Sequence, residues 1–273
     1  MRIHRVTFAV AITCASRATS LHDRLLGRGA RGRRAVSPAN SPDVRISRHS
    51  IASGDSSLDA VYVEPAGRAL QSVVLICHGI GEIVDGWLPV QRLLAANGAA
   101  SLVFDYSGYG RSKGRIGAAQ FEEDAVAAFH HLHGLAPSFP VAVLGFSLGS
   151  GVAAAVINRV PASRLVLCAG FPSFQAAACS LLIPARWARF VPPIWRAEES
   201  MRSCSLPVLV VHGEKDRTFP VELGEQLHAL CGAKAELLII PGHGHNEPFR
   251  HPRLAYWGPI LDRLAGGSPT WCA

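Results

Sequence analysis

The 273-residue chain has seven cysteines but no repeated Cys-x-x-Cys unit and no Cys/His spacing that would build a metal site. Cys77 and Cys168 lie inside apolar runs that read as core strands. Reduced, packed thiols are therefore expected rather than disulfides, and with them a reducing compartment. There is no zinc-finger, helix-turn-helix or RNA-binding signature, no internal repeat and no low-complexity tract, so nucleic acid is not expected as a partner. The N-terminal apolar stretch, Val6 to Ala15, is too short to span a bilayer.

Excess charge is also missing from most of the chain. The formal net charge is +7, yet Arg2, Arg5, Arg17, Arg24, Arg28, Arg31, Arg33 and Arg34 against Asp23 account for all of it, which leaves 19 basic and 19 acidic residues elsewhere. A neutral body offers no polyanion-binding surface and suits a substrate without strong negative charge. Residues 1–40 thus read as a separate basic N-terminal extension, dispensable for chemistry. Its basic start and apolar middle resemble a weak secretory signal, and its arginine-rich remainder a targeting or disordered extension. A misassigned start codon is an alternative, and Cys14 lacks the residues of a lipoprotein site before it. The expected location is the cytoplasm, with secretion, or peripheral membrane contact through the extension, as alternatives.

What remains is apolar enough for one large core: 49% of the chain is hydrophobic, and no second domain is needed. Val44 to Ile51 and Leu58 to Val63, separated by Ser-Gly-Asp-Ser-Ser, read as an opening antiparallel hairpin. Apolar runs then end near Cys77, Asp105, Gly145, Gly170, Val211 and Ile240, interleaved with helical stretches such as Trp87 to Asn97 and Phe121 to Leu132. Short buried runs alternating with amphipathic segments imply an α/β fold, a mostly parallel sheet covered by helices on both faces.

Gly145-Phe146-Ser147-Leu148-Gly149 follows the run Val141 to Leu144 and precedes the helical stretch Ser150 to Val160. That is the setting of a nucleophile elbow, in which a serine at a strand-to-helix turn adopts unfavourable φ/ψ and its flanking glycines leave room for it. The same turn aims the Leu148 N–H, at the positive start of the helix, towards the reacting oxygen. A serine needs a base and the base an acid partner. Pro207 to Val211 reads as a buried strand ending in His212-Gly213-Glu214-Lys215-Asp216. Leu237 to Ile240 ends in Pro241-Gly242-His243-Gly244-His245-Asn246. Both loops offer two candidates, Asp216 or Glu214 as acid and His245 or His243 as base. His212 reads as a packed, hydrogen-bonded residue.

Serine, then acid, then histidine is the chain order of one particular fold. Together with His78-Gly79 after Ser72 to Cys77, the segment Phe104-Asp105-Tyr106-Ser107-Gly108-Tyr109-Gly110-Arg111-Ser112 and the Gly-His-Asn ending at Asn246, these motifs resemble the alpha/beta hydrolases. The likeness runs from roughly Val44 to Ala265 and is to the small esterase, acylglycerol lipase and acyl-protein thioesterase branches. The resemblance implies a hydrolase domain at 44–266 with Ser147 as nucleophile, His245 as general base, Asp216 as its orienter, and the Leu148 and Ile80 amides as oxyanion donors. Ile80 departs from the lipase pattern, which has a glycine or polar residue there, but a backbone N–H does not depend on its side chain. His78 is expected to brace its loop, and Asp105 to order the glycine-rich segment after it, with Arg111 free to pair with a carboxylate.

The alternation breaks between residues 171 and 205, where the resemblance implies a short cap insertion over the nucleophile. Phe146, Trp187 and Trp195 are the candidates for an apolar substrate pocket, against the alternative of an ordinary covering helix packed on the core. The expected activity is cofactor-independent and metal-free hydrolysis of a small-molecule acyl ester or thioester through an acyl-enzyme. Peptidase or amidase chemistry, a catalytically silent binding scaffold and a membrane-anchored accessory protein are the competing readings. A cysteine nucleophile is disfavoured because no cysteine occupies an elbow, and the serine there excludes an aspartyl-ester mechanism.

Overall fold

A computed structural model describes residues 43–266 except 182–185, 187–190 and 192. The extension 1–40 and Trp187 lie outside the described residues. The chain opens with β1 (Val44–Ser53) and β2 (Ser56–Pro65), an antiparallel hairpin with Val44 opposite Pro65 and Ser53 opposite Ser56. Both strands run further than the apolar pattern suggests, because a two-residue turn at Gly54-Asp55 closes them, and Gly54 takes φ +54° there. There follow β3 (Ser72–Cys77), α1 (Val84–Ala96), β4 (Ala99–Phe104), α2 (Ala118–Leu135), β5 (Val141–Phe146), α3 (Leu148–Val156) and β6 (Arg164–Cys168). The chain continues through α4 (Phe174–Ser180), α5 (Ala197–Ser203), β7 (Val208–Gly213), α6 (Val221–Cys231), β8 (Ala235–Ile240), α7 (Glu247–Arg250) and α8 (Leu254–Leu264).

The strands form one sheet in the order β1-β2-β4-β3-β5-β6-β7-β8. β2 is antiparallel to both neighbours, and β4 through β8 are parallel. Every residue of β3, β4, β5 and β7 is buried. The reason is that both faces are covered, so these strands read as unbroken apolar runs rather than alternating ones. Alternate side chains divide between two cores. Val74, Ile76, Val103, Leu144, Val166 and Leu209 meet Trp87 of α1 and Trp257 of α8. Val73, Leu75, Leu102, Val143, Leu165 and Val208 meet Phe129 of α2, Val152 of α3 and Leu227 of α6.

The order around the middle of the sheet positions the site. β3 passes through α1 to β4 on one side, and the chain then crosses back through α2 to β5 on the other side of β3. Strand order therefore reverses between β3 and β5, and in open parallel sheets the crevice outside the carboxyl ends at such a reversal is where ligands bind. His78-Gly79 and Ser147 leave their strands at this point. α1 starts at Val84, three residues before the expected Trp87, because the Val84 N–H donates to Asp105 Oδ1 at 2.8 Å. That cap comes from another element and has no local sequence signal.

Candidate active site

β5 ends at Phe146 and α3 begins at Leu148, so Ser147 alone makes the turn. Its backbone sits at φ 55°, ψ −119°, in a region that costs a non-glycine residue about 1–3 kcal/mol. The turn is held by the Ser147 N–H donating to Cys168 O at 2.9 Å, and by Ser147 O accepting the Ser150 N–H at 3.0 Å and the Ser150 hydroxyl at 2.7 Å. The flanking glycines are sterically required. A Cβ at Gly145 would lie 2.3 Å from Gly149 O, and one at Gly149 would lie 1.9 Å from Cys77 O. Both contacts are with backbone, which cannot swing aside.

The loops after β7 and β8 bring an acid and a base to this hydroxyl. His245 Nε2 is 2.9 Å from Ser147 Oγ, and His245 Nδ1 is 2.6 Å from Asp216 Oδ2. A carboxylate beside Nδ1 holds the proton there and leaves Nε2 free to accept from the serine. The Asp216 side chain has no exposed surface, and its Oδ1 accepts the Thr218 and Phe219 N–H groups at 2.8 and 2.9 Å. The imidazole lies between the Phe219 ring, edge-on at 5.2 Å, and the Phe146 ring at 5.7 Å.

The competing candidates have other partners. His243 Nδ1 bonds Pro241 O at 2.9 Å, its carbonyl accepts the Lys215 N–H at 2.8 Å, and its ring packs beside Tyr256. Glu214 Oε2 accepts the Gly242 N–H at 2.8 Å. Both residues thus fasten the two loops to each other. His212 is fully buried and donates from Nε2 to Phe219 O at 2.9 Å. Burial pushes its pKa down, against the pull of that bond and of Asp216, so it stays neutral and braces the turn beneath the acid.

On the other side of Ser147, the Leu148 N–H is the first of α3 and has no intrahelical acceptor. Ile80 follows the end of β3, is partly buried and packs on the core. The turn between them and β3 is tied down from several directions. His78 is fully buried, its Nδ1 bonds Gly79 O at 2.8 Å, and burial pushes its pKa down to about 4. Tyr106 donates its hydroxyl to His78 O at 3.2 Å. Glu82 Oε2 accepts the Gly79 N–H at 2.7 Å and the Trp87 indole N–H at 2.9 Å.

Sequence reasoning missed Glu82. An acid just ahead of a helix is an ordinary first-turn residue, and its reach back to Gly79 shows only in the fold. Asp105 does order the segment after it: Oδ2 accepts the Arg111 N–H at 3.4 Å, and a Cβ at Gly110, where φ is +47°, would lie 1.8 Å from that oxygen. Arg111 itself pairs with Asp85, at 3.8 Å.

Two of the residues expected at the pocket make packing contacts. Phe146 is fully buried in the core against Trp87, 5.5 Å away and edge-on. Its side chain takes the α1 face of the sheet, with the His245 ring 5.7 Å away. Trp195 is 8% exposed, donates its indole N–H to Glu122 at 3.2 Å, lies parallel to Phe121 at 6.5 Å and edge-on to Phe174 at 5.3 Å. It pins the segment before α5 onto α2. A cleft of about 420 Å³ lined by Gln71, Asn97, Leu254 and Gly258 opens at the amino-terminal end of β3, away from Ser147. Among the described residues no group of three or more His, Cys, Asp or Glu is arranged to hold a metal ion, and no helix is long and apolar enough to cross a membrane.

Residues 68–197 match the family model described as serine aminopeptidase, S33. An uncharacterized protein of Mycobacterium tuberculosis is 32% identical over 179 residues, which cover 64% of this chain and 63% of that protein. Mouse lysophosphatidylserine lipase ABHD12 is 26% identical over 231 residues, covering 76% of this chain and 58% of the lipase. The chain thus spans about three-fifths of the length of these curated relatives. The solved structure of Pyrococcus furiosus esterase Pf2001 superposes with a TM-score of 0.63 at 19% identity, covering 81% of this chain and 91% of the esterase. With an eight-stranded, mostly parallel sheet and a serine elbow at its point of strand reversal, the chain has the alpha/beta hydrolase fold, and over residues 68–197 it is similar to the serine aminopeptidase, S33 family.

Proposed function

We propose that the protein is a serine hydrolase that cleaves carboxylic esters or thioesters through an acyl-enzyme. The observation that carries the reading is the unbroken chain of contacts from Ser147 Oγ through His245 to Asp216. In this reading His245 Nε2 takes the Ser147 proton as Oγ attacks the acyl carbon, and the carbonyl oxygen gains the charge. Asp216 stabilises the imidazolium, and the Leu148 and Ile80 amides receive the oxyanion. His245 then protonates the departing alcohol or thiol, the acyl group stays on Ser147, and a water activated by the same imidazole releases it. Losing one oxyanion donor costs about 2.7–4 kcal/mol of transition-state stabilisation in other enzymes.

The proteins similar to this chain include a lysophosphatidylserine lipase and an esterase, which supports an acyl ester as the substrate class. A fluorophosphonate probe tests the reading: labelling of the wild type that disappears in Ser147→Ala is expected, and folded wild type that takes no label would favour a silent scaffold. p-Nitrophenyl esters from acetyl to long chain then define the acyl group. An aminoacyl p-nitroanilide cleaved faster than every ester would turn the assignment to the aminopeptidase chemistry named in the family description. The basic extension is proposed as a peripheral membrane contact. Equal binding of full-length protein and residues 41–273 to anionic vesicles would dismiss it.

A further inference from the structure

Glu82 is a carboxylate for which the proposed reaction has no use, and it stands where it bears on an oxyanion donor. One oxygen, Oε2, holds both the Gly79 N–H and the Trp87 indole N–H. The carboxylate also lies close along the turn, because a Cβ on Gly79 would come within 3.0 Å of Oε1. Gly79 immediately precedes Ile80, and a glycine at that position has wide backbone freedom unless something fixes it. The far end of the anchor does not move with the loop. Trp87 is fully buried, edge-on to Phe146 at 5.5 Å and to Trp257 at 6.2 Å.

The charged and titratable groups around Glu82 come from two other elements. Tyr106 and Tyr109 face it from the segment after β4, and His245 and Arg250 from the segment after β8. Burial pushes its pKa up to about 7, while the Gly79 and Trp87 donors and the His245 and Arg250 charges work against that rise. The two donors therefore offset only part of the cost of burying the carboxyl between them.

We propose that Glu82 is a positioning residue for the oxyanion hole, clamping Gly79 to the Trp87 indole so that the Ile80 N–H points at the developing oxyanion. The proposal rests on the serine-hydrolase reading of Ser147. A donor fixed in this way acts on the tetrahedral intermediate and not on the ground-state ester, so its loss falls on kcat and leaves KM alone.

The test compares wild type, Ser147→Ala, Glu82→Gln and Glu82→Ala on p-nitrophenyl butyrate, with inhibition by an alkyl trifluoromethyl ketone that mimics the tetrahedral intermediate. Glu82→Gln keeps the shape and an acceptor oxygen but removes the charge that strengthens both bonds, so it weakens the clamp and remains informative if Glu82→Ala fails to fold. Expected are a drop in kcat of about 10-fold for Gln and about 100-fold for Ala, approaching the loss of a whole donor. KM should stay within about twofold, and ketone affinity should fall in proportion to kcat/KM. A kcat within about twofold of wild type in the folded Gln variant, or a loss carried by KM with ketone affinity unchanged, overturns the proposal. Wild type without Ser147-dependent hydrolysis or labelling would instead bring down the underlying reading, and the proposal with it.

Discussion

Asp216 makes three hydrogen bonds with two oxygens, and each has a separate consequence. The pair from Thr218 and Phe219 to Oδ1 fixes the carboxylate on its own loop, and the contact of Oδ2 with His245 Nδ1 sets the imidazole tautomer. An asparagine can keep the first pair through its oxygen but must present an NH2 to Nδ1. Asp216→Asn is therefore expected to move the imidazole proton to Nε2, where it blocks acceptance from Ser147. The expected fall in kcat is about 10⁴-fold, the size seen for such a tautomer reversal elsewhere, with the urea midpoint nearly unchanged. Ester turnover with a parallel unfolding curve checks this, and a folded variant retaining more than about a tenth of wild-type kcat would remove Asp216 from the role. At this scale the sequence left two acids and two histidines open. Side chains two residues apart on a loop have no fixed relative direction until the backbone is pinned, and here the Lys215–His243 and Glu214–Gly242 bonds do the pinning.

The elements followed the hydrophobic pattern wherever they are buried on both sides, and departed from it where a partner from elsewhere decides the boundary. α1 is lengthened by Asp105, and α3 gives way at Ile157 to a 3-10 turn ending at Arg159, short of the Val160 the pattern suggested. Trp195 shows the same limit. An aromatic in a broken pattern reads equally well as pocket wall or packing, and its indole bond to Glu122 and its contacts with Phe121 and Phe174 belong to packing. It also sits at φ +49°, a left-handed backbone that a tryptophan adopts only when its surroundings enforce it. Trp195→Ala is expected to lower stability by about 3–5 kcal/mol, as for other buried tryptophan truncations, read from the urea midpoint. Because the ring is engaged with α2, the ranking of acetyl, butyryl and octanoyl esters should not change. A reversed ranking at unchanged stability would return Trp195 to the pocket.

For the whole molecule, the alternation of runs and helical stretches is legible as a doubly covered sheet, whereas the strand order is not, since any permutation of buried parallel strands leaves the same apolar pattern. What joins the ends of β3 and β4 to α1 is a set of buried titratable groups, so the joint should respond to pH. Asp105 accepts the Val84 and Arg111 amides, and its Oδ1 lies 3.6 Å from His78 Nε2. Burial, with smaller contributions from Asp59 and Asp85, pushes its pKa up to about 7 from 3.8. Between those values the folded chain keeps a proton that the unfolded chain has released, so this contribution is greatest in acid and is lost as pH rises towards 7. Glu82 has the same sign. His78, pushed down to about 4 from 6.5, has the opposite one: the unfolded chain takes the proton, and stability is lost as pH falls through that window. His78 opposes Asp105 and Glu82 only in part, so the wild-type urea midpoint should fall between pH 5 and 7 without resolving any one group. Asp105→Asn separates them, because asparagine keeps an oxygen for Val84 and cannot titrate. Relative to wild type, the variant should be least stable at pH 5 and should recover on the order of 3 kcal/mol by pH 8, from 1.36 kcal/mol per pKa unit. A wild-type-to-variant difference in unfolding free energy that is the same at pH 5 and pH 8 would mean that Asp105 ionises at its ordinary value, and that the joint between β4 and α1 holds a charge throughout.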